Sequence, residues 1–242
     1  MREVVAFALM LLMLAGAACG SRQPLPQPRK VADPADVPGA VLLDAWELAA
    51  VEYVYPGQGL DYSEAGLEPV YLVLENKGEG SPRVLVSEVR GVAPDGEYLP
   101  YSVDEAQRLI HDSEAFGRMA SGAAGRGALG AAAGASLGAL LGLIGGGDNI
   151  WKGAAIGGGI GGMAGAGSSV AGHGDELRRD IEAELRQYSW TDEPVPPSFT
   201  KVGYVYLPGN VGIERIKVTV REDGELNTYT LPLADMRAGA GG

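Results

Sequence analysis

The only thiol in the chain, Cys19, stands directly behind the small residues Ala15-Gly16-Ala17-Ala18. A single cysteine forms no intramolecular disulfide, and with only His111 and His173 beside it a Cys/His zinc site is out of reach. Other catalytic inventories fail as well. There is no Gly-x-Ser-x-Gly elbow, phosphate-binding loop or HExxH. Gly157, Gly159 and Gly162 fit GxGxxG, but no strand precedes them and no acidic partner follows in a βαβ unit, so a dinucleotide site is not expected. His111 reads as a surface histidine on a polar helix, and His173 as the marker of an interface. Asp175, Glu176, Asp180, Glu182 and Glu184 read as a solvated helix face. The spacing that does carry physical consequence belongs to glycine. Gly130, Gly134, Gly138, Gly142 and Gly146 recur every fourth residue, and Gly153, Gly157, Gly161 and Gly165 repeat the pattern. At about 3.6 residues per turn these fall on nearly one helix face, leaving a groove that another backbone can approach closely.

Two helices are needed to use those grooves, and the charge pattern outlines them. Ser102-Val103-Asp104-Glu105 fits a capping box, and charges continue to Arg126. Residues 127–147 and 153–172 then contain no Asp, Glu, Lys or Arg, with the turn Gly145-Gly146-Gly147-Asp148-Asn149 between them. Beyond His173 charge returns, and Leu177, Ile181 and Leu185 stand four apart on one face. This predicts an antiparallel hairpin with helices over about 103–144 and 150–188, polar at the base and glycine-rich at the tip. Trp151 and Lys152 sit where interfacial anchors would. Glycine weakens each arm by about 1 kcal/mol per residue relative to alanine. The arms therefore need close packing or a bilayer, and both remain open.

On either side the chain reads as β. Val70, Leu72 and Leu74 alternate with Tyr71 and Val73 in a strand apolar on both faces. Asn76-Lys77-Gly78 ends it, Val84, Val86 and Val89 follow, and Pro94-Asp95-Gly96 turns the chain into Glu97-Tyr98-Leu99. Gly203 to Leu207 forms a second apolar strand. Ile216, Val218 and Val220 lead through Asp223-Gly224 into Leu226 to Leu233, a hairpin signal. Six to eight short strands in two blocks that cannot separately cover a sheet predict one joint β-sandwich. With the strands supplying the core, replacing residues 103–190 by a short linker is expected to leave a cooperatively melting β protein.

The N-terminus is an export signal: a charged Met1-Arg2-Glu3, the apolar run Val4 to Leu14, then the small residues before Cys19. Leu14-Ala15-Gly16-Ala17-Ala18-Cys19 resembles the lipobox of bacterial lipoproteins, with Gly16 where that family has leucine. The resemblance implies that Cys19 receives diacylglycerol and becomes the mature N-terminus. Absence of an Asp after the cysteine favours the outer membrane, facing the periplasm. The competing reading is a soluble periplasmic protein cut by ordinary signal peptidase. Pro24, Pro26, Pro28, Pro34 and Pro38 favour extended chain at roughly 3 Å per residue, a tether.

The glycine repeats, over residues 117–173, resemble bacterial glycine-zipper two-helix proteins, which implies membrane association and close helix packing. Tyr71 to Lys77, Val92 to Tyr98 and Gly203 to Pro208 resemble the immunoglobulin-like sandwiches of envelope lipoproteins. The expected fold is thus α+β: an immunoglobulin-like antiparallel β-sandwich with a long inserted glycine-rich α-hairpin. Its segments are signal peptide 1–18, lipidated Cys19 and Pro-rich tether 19–39, β-sandwich 40–101 and 191–236, hairpin 102–190, and flexible tail 237–242. The 19 basic and 31 acidic residues give a net charge of -12, which lacks the footprint of a nucleic-acid binder. The expected function is a non-enzymatic envelope lipoprotein, a structural or binding module whose hairpin inserts in membrane or self-associates. An oligomeric pore-forming or secretion-linked component is the alternative. Expected partners are membrane lipid, through Cys19 and the hairpin, and further copies of the chain. No cofactor, metal or small-molecule substrate is expected.

Overall fold

The computed structural model of the chain describes residues 33–55, 61–122 and 173–234. Cys19, Trp151, Lys152 and all nine repeat glycines from Gly130 to Gly165 lie outside them, as do the signal segment and the tail.

Two antiparallel sheets face each other. The first has the order β1 (Val41–Leu42), β2 (Trp46–Glu52), β3 (Leu67–Asn76), β7 (Thr200–Pro208). In the second, β8 (Arg215–Glu222) pairs on one side with β4 (Arg83–Val84) and β5 (Arg90–Ala93), and on the other with β9 (Glu225–Pro232); β6 (Gly96–Tyr98) extends β5. Strands from both sequence blocks meet in both sheets, as the joint-sandwich expectation required. At Asp223 and Gly224 φ is 49° and 86°. Positive φ at both central residues is the demand of a type I′ turn, which Asp-Gly meets at low cost. Between the sheets lie Trp46, Leu48, Leu72, Leu74, Val205 and Leu207 from one side and Val84, Ile216, Val218, Val220 and Leu231 from the other.

The first sheet is also covered on its outer face. Ala49, Val51, Tyr71, Val73, Tyr204 and Tyr206 point away from the sandwich core into a second apolar cluster, which they share with three helices. These are α1 (Val103–His111), α2 (Glu114–Gly122) and α3 (His173–Tyr188), whose Ala106, Ile110, Phe116, Leu177, Ile181 and Leu185 complete the cluster. The fold is three layers: helices, sheet, sheet. The expectation that a cooperatively melting β protein survives replacement of residues 103–190 took no account of this packing, in which the helical ends supply a large part of the second core.

The capping box forms as expected: the Ser102 side chain accepts from the Glu105 N–H, and the Glu105 carboxylate accepts from the Ser102 N–H at 2.8 Å. The first arm is not continuous, however. It breaks at Asp112-Ser113, where Ser113 Oγ donates to the Ile110 carbonyl at 2.6 Å and accepts from the Phe116 N–H at 3.1 Å. One hydroxyl closes α1 and starts α2, a local competition with the helix ladder that serine is suited to. The bend brings Ala115 and Phe116 into the core.

Candidate functional site

The chain leaves the sandwich and returns to it on one strand edge. The Tyr101 N–H donates to the Tyr206 carbonyl at 2.7 Å, and the Trp190 N–H donates to the Tyr204 carbonyl at 2.9 Å, so both junctions of the helical segment are pinned to β7 two residues apart. Gly203 makes room for the second junction: a Cβ there would stand 3.0 Å from Trp190 Cα and 3.1 Å from its nitrogen. From these pins α1 and α3 run side by side. Arg186 Nη2 donates to Asp104 Oδ1 at 2.8 Å, Gln107 Nε2 donates to Glu182 Oε2 at 3.2 Å, and Arg178 lies 5.7 Å from the Phe116 ring centre. As one partner number rises from 104 to 116 the other falls from 186 to 178, so the helices are antiparallel. Residue 122 at the end of α2 and residue 173 at the start of α3 are the two ends of the segment that carries the glycine repeats.

Two sequence expectations change here. His111 is half-buried rather than a free surface group; its ring centre is 5.3 Å from that of Phe116, and its Nε2 is enclosed without a hydrogen-bond partner. Burial, followed by the Arg178 charge, lowers its pKa. Glu184, taken for part of a solvated face, is 4% exposed and turns toward the sheet. Asp175 does stand in solvent. Beneath the helices Tyr53, Tyr62, Tyr71, Tyr204 and Tyr206 form a tyrosine floor; Tyr206 donates to the Leu185 carbonyl at 2.8 Å. Burial pushes the hydroxyl pKa of Tyr53, Tyr71, Tyr204 and Tyr206 upward, so these groups stay neutral and serve packing.

Two charged groups escaped the sequence reading. Lys201, 3% exposed, is held by the Thr191 carbonyl and hydroxyl, both at 2.8 Å, and by the Glu193 carbonyl at 3.2 Å. Its donors are spent on the segment that leads out of α3 into β7, a structural clasp. Glu68 on β3 has its carboxyl pushed up to about 7, by burial first and then by the Glu52 charge; its Oε1 is enclosed without a partner. A raised carboxyl pKa means the folded state keeps a proton that the unfolded chain releases from about 4.5 upward. Stability from this group is therefore present below 4.5, falls as pH climbs toward 7, and stays lost above it. Glu68→Gln, permanently neutral, should melt higher than wild type at pH 8 and together with it at pH 4. Melting curves that keep a constant offset across that range would remove Glu68 as the cause.

Among the described residues one group of side chains has the geometry of a cation site. Carboxylate oxygens of Asp33, Glu47 and Glu75 lie within 4.8 Å of one another. Glu47 and Glu75 are direct cross-strand partners on β2 and β3, and Asp33 caps the short 3-10 turn Pro34–Asp36 that packs on the same sheet. Like charges directly opposite one another destabilise a sheet. Lys77 Nζ answers part of this by binding Glu47 Oε1 at 2.5 Å. The donor set is oxygen only, which suits hard cations such as Ca²⁺ or Mg²⁺ and does not suit zinc or copper.

No family model, curated protein or solved structure matches this chain.

Proposed function

We propose that the chain is a non-enzymatic envelope lipoprotein: an immunoglobulin-like sandwich, anchored to membrane lipid through Cys19, that carries a glycine-zipper hairpin able to insert in membrane or to associate with other copies. The observation that carries this reading is the pair of pins on β7. An insertion whose two ends are bonded to residues two apart, and whose helical bases run antiparallel on one sheet face, has the base that an inserted antiparallel hairpin requires. Glycine stripes carried on such a base would offer grooves for each other or for a neighbouring copy. Among the described residues no helix is long and apolar enough to cross a membrane.

The test has two arms. Full-length chain should incorporate labelled fatty acid and Cys19→Ala should not; equal labelling overturns the anchor. For the hairpin, Gly138→Leu is compared with Ala139→Leu in detergent. Leucine raises helix propensity and apolarity at both positions, yet only at a close contact does it overpack, at about 1–3 kcal/mol per site. Lower thermal stability or crosslinked oligomer yield for Gly138→Leu alone supports the zipper. Matching behaviour of the two variants refutes it.

A further inference from the structure

A strand at the edge of a sheet offers a row of unpaired N–H and C=O groups to any other chain, and native folds close or blunt such edges. Here most edges are closed. On β7 the Tyr206 and Tyr204 carbonyls are taken by Tyr101 and Trp190, and beside β2 the strand β1 is followed by Ala234, which bonds Glu52 and Ala50. Strands β4 and β6 are only two and three residues long. The exception is β9, eight residues that, among the described residues, have a partner strand on one side alone. The Thr219 carbonyl of β8 accepts from Leu85 on the far side, so Glu222, Val220, Val218 and Ile216 are the residues that bond β9, through Glu225, Asn227, Tyr229 and Leu231. Leu226, Thr228 and Thr230 therefore turn both of their backbone groups to the open side. The usual protections are missing: the register runs without a bulge, and residues 226–231 carry neither charge nor proline.

We propose that β9 is a docking edge for a second copy of this chain, the two β9 strands pairing antiparallel about a dyad at Thr228. The register follows from which groups are open. A dyad at Thr228 sets Leu226 of each copy opposite Thr230 of the other, so every outward N–H and C=O of these three residues finds a partner. Side-chain chemistry agrees. Thr228 meets Thr228, Asn227 meets Tyr229, and Glu225, the one charged residue of the strand, meets Leu231, so no like charges are opposed. Charge also favours a second copy. The chain carries -12, so two copies repel over most of their surface, whereas this edge is uncharged and is flanked by Lys217 and Arg221, the cross-strand neighbours of Thr230 and Leu226. The helical layer lies on the other sheet, so this contact is separate from the glycine stripes and rests neither on them nor on lipid at Cys19.

The test uses full-length chain in detergent. In a Cys19→Ala background, Thr228→Cys should form an intermolecular disulfide on mild oxidation, because the dyad sets its two Cα atoms about 5.5 Å apart, within the range of about 4.4–6.8 Å that a disulfide spans. Glu225→Cys, exposed on the same strand, should crosslink roughly tenfold more slowly, since its two copies stand roughly 20 Å apart in this register. Charge supplies the second arm. Thr228→Lys places two ammonium groups at the dyad and Thr228→Glu two carboxylates, so each should associate severalfold more weakly than wild type, and an equimolar mixture should recover wild-type association. Both variants lose the hydroxyl bond to Thr219, and recovery in the mixture shows that this loss and misfolding are not the cause. The inference is overturned if Thr228→Cys crosslinks no faster than Glu225→Cys, the result expected when the chain's own ends or an unrelated protein cover the edge. It is overturned too if the charged variants assemble like wild type, which leaves contact between copies to the glycine hairpin, or if the mixture recovers nothing. Because the crosslink is read without Cys19, its failure is distinct from failure of the lipid anchor.

Discussion

Replacing residues 103–190 with a Gly/Ser linker should abolish cooperative unfolding, whereas replacing only 123–172, joining α2 to α3, should leave a folded protein with a sharp melt. The difference lies in what each deletion uncovers. Removing the whole insert takes away Ile110, Phe116, Leu177, Ile181 and Leu185, all buried against the first sheet. At about 2 kcal/mol for each buried side chain this is roughly 10 kcal/mol of gross burial, comparable to the entire net stability of a typical domain. Some of it is offset, since the helices no longer have to be ordered. What is not offset is the exposed floor of Ala49, Val51, Tyr71, Val73, Tyr204 and Tyr206, a contiguous apolar sheet face of the kind that drives aggregation. The shorter deletion leaves that floor covered. Circular dichroism melts of both proteins decide the matter: a cooperative transition in the longer deletion would show that the two facing sheets suffice alone.

Asn76→Ala should lower Tm by roughly 6–20 °C, the second large effect. Asn76 is 1% exposed and stands at the end of β3. Its Nδ2 donates to the carbonyls of Gly80 and Val195, each at 2.8 Å, and its Oδ1 accepts from the Gly78 N–H at 3.1 Å. One side chain thus ties the turn after β3 to the segment between α3 and β7, 119 residues away. Alanine leaves the Gly80 and Val195 carbonyls without this donor, while the Gly78 N–H keeps its bond to the Ala45 carbonyl at 2.7 Å; at about 1–3 kcal/mol for each group left unpaired, a total near 3–5 kcal/mol is expected. At about 2–4 °C per kcal/mol for a chain of this size, that yields the stated range. Leu226→Ala, on an exposed strand position, is the control and should stay within about 0.5 kcal/mol of wild type. An Asn76→Ala protein that melts with the control would mean that water replaces all three bonds.

Much of the architecture was legible in short stretches of residues, because the physics there is local. Ser102 and Glu105 form a capping box within one turn of backbone, Asp223-Gly224 supplies the two positive φ angles of a hairpin, and Leu177, Ile181 and Leu185 share a face at any tertiary position. The alternation of Val70, Leu72 and Leu74 with Tyr71 and Val73 went further, since a strand apolar on both faces must be covered twice. Read as sequence it yielded only a two-sheet sandwich, and left out which element covers the second face of this sheet. That choice was tertiary. Ser113 turned the first arm onto the sheet, and the same packing drew Glu184 and His111 inward from a helix surface that charge alone had marked as solvated. The carboxylate group is tertiary too: Glu47 meets Glu75 only through the β2–β3 register, and Asp33 joins them only because its turn docks there. Residue type and spacing settle contacts within a turn or two of chain, where backbone geometry leaves few alternatives. Pairings across 28 or more residues depend on register and on which faces must leave water, and those are decided by the packed whole.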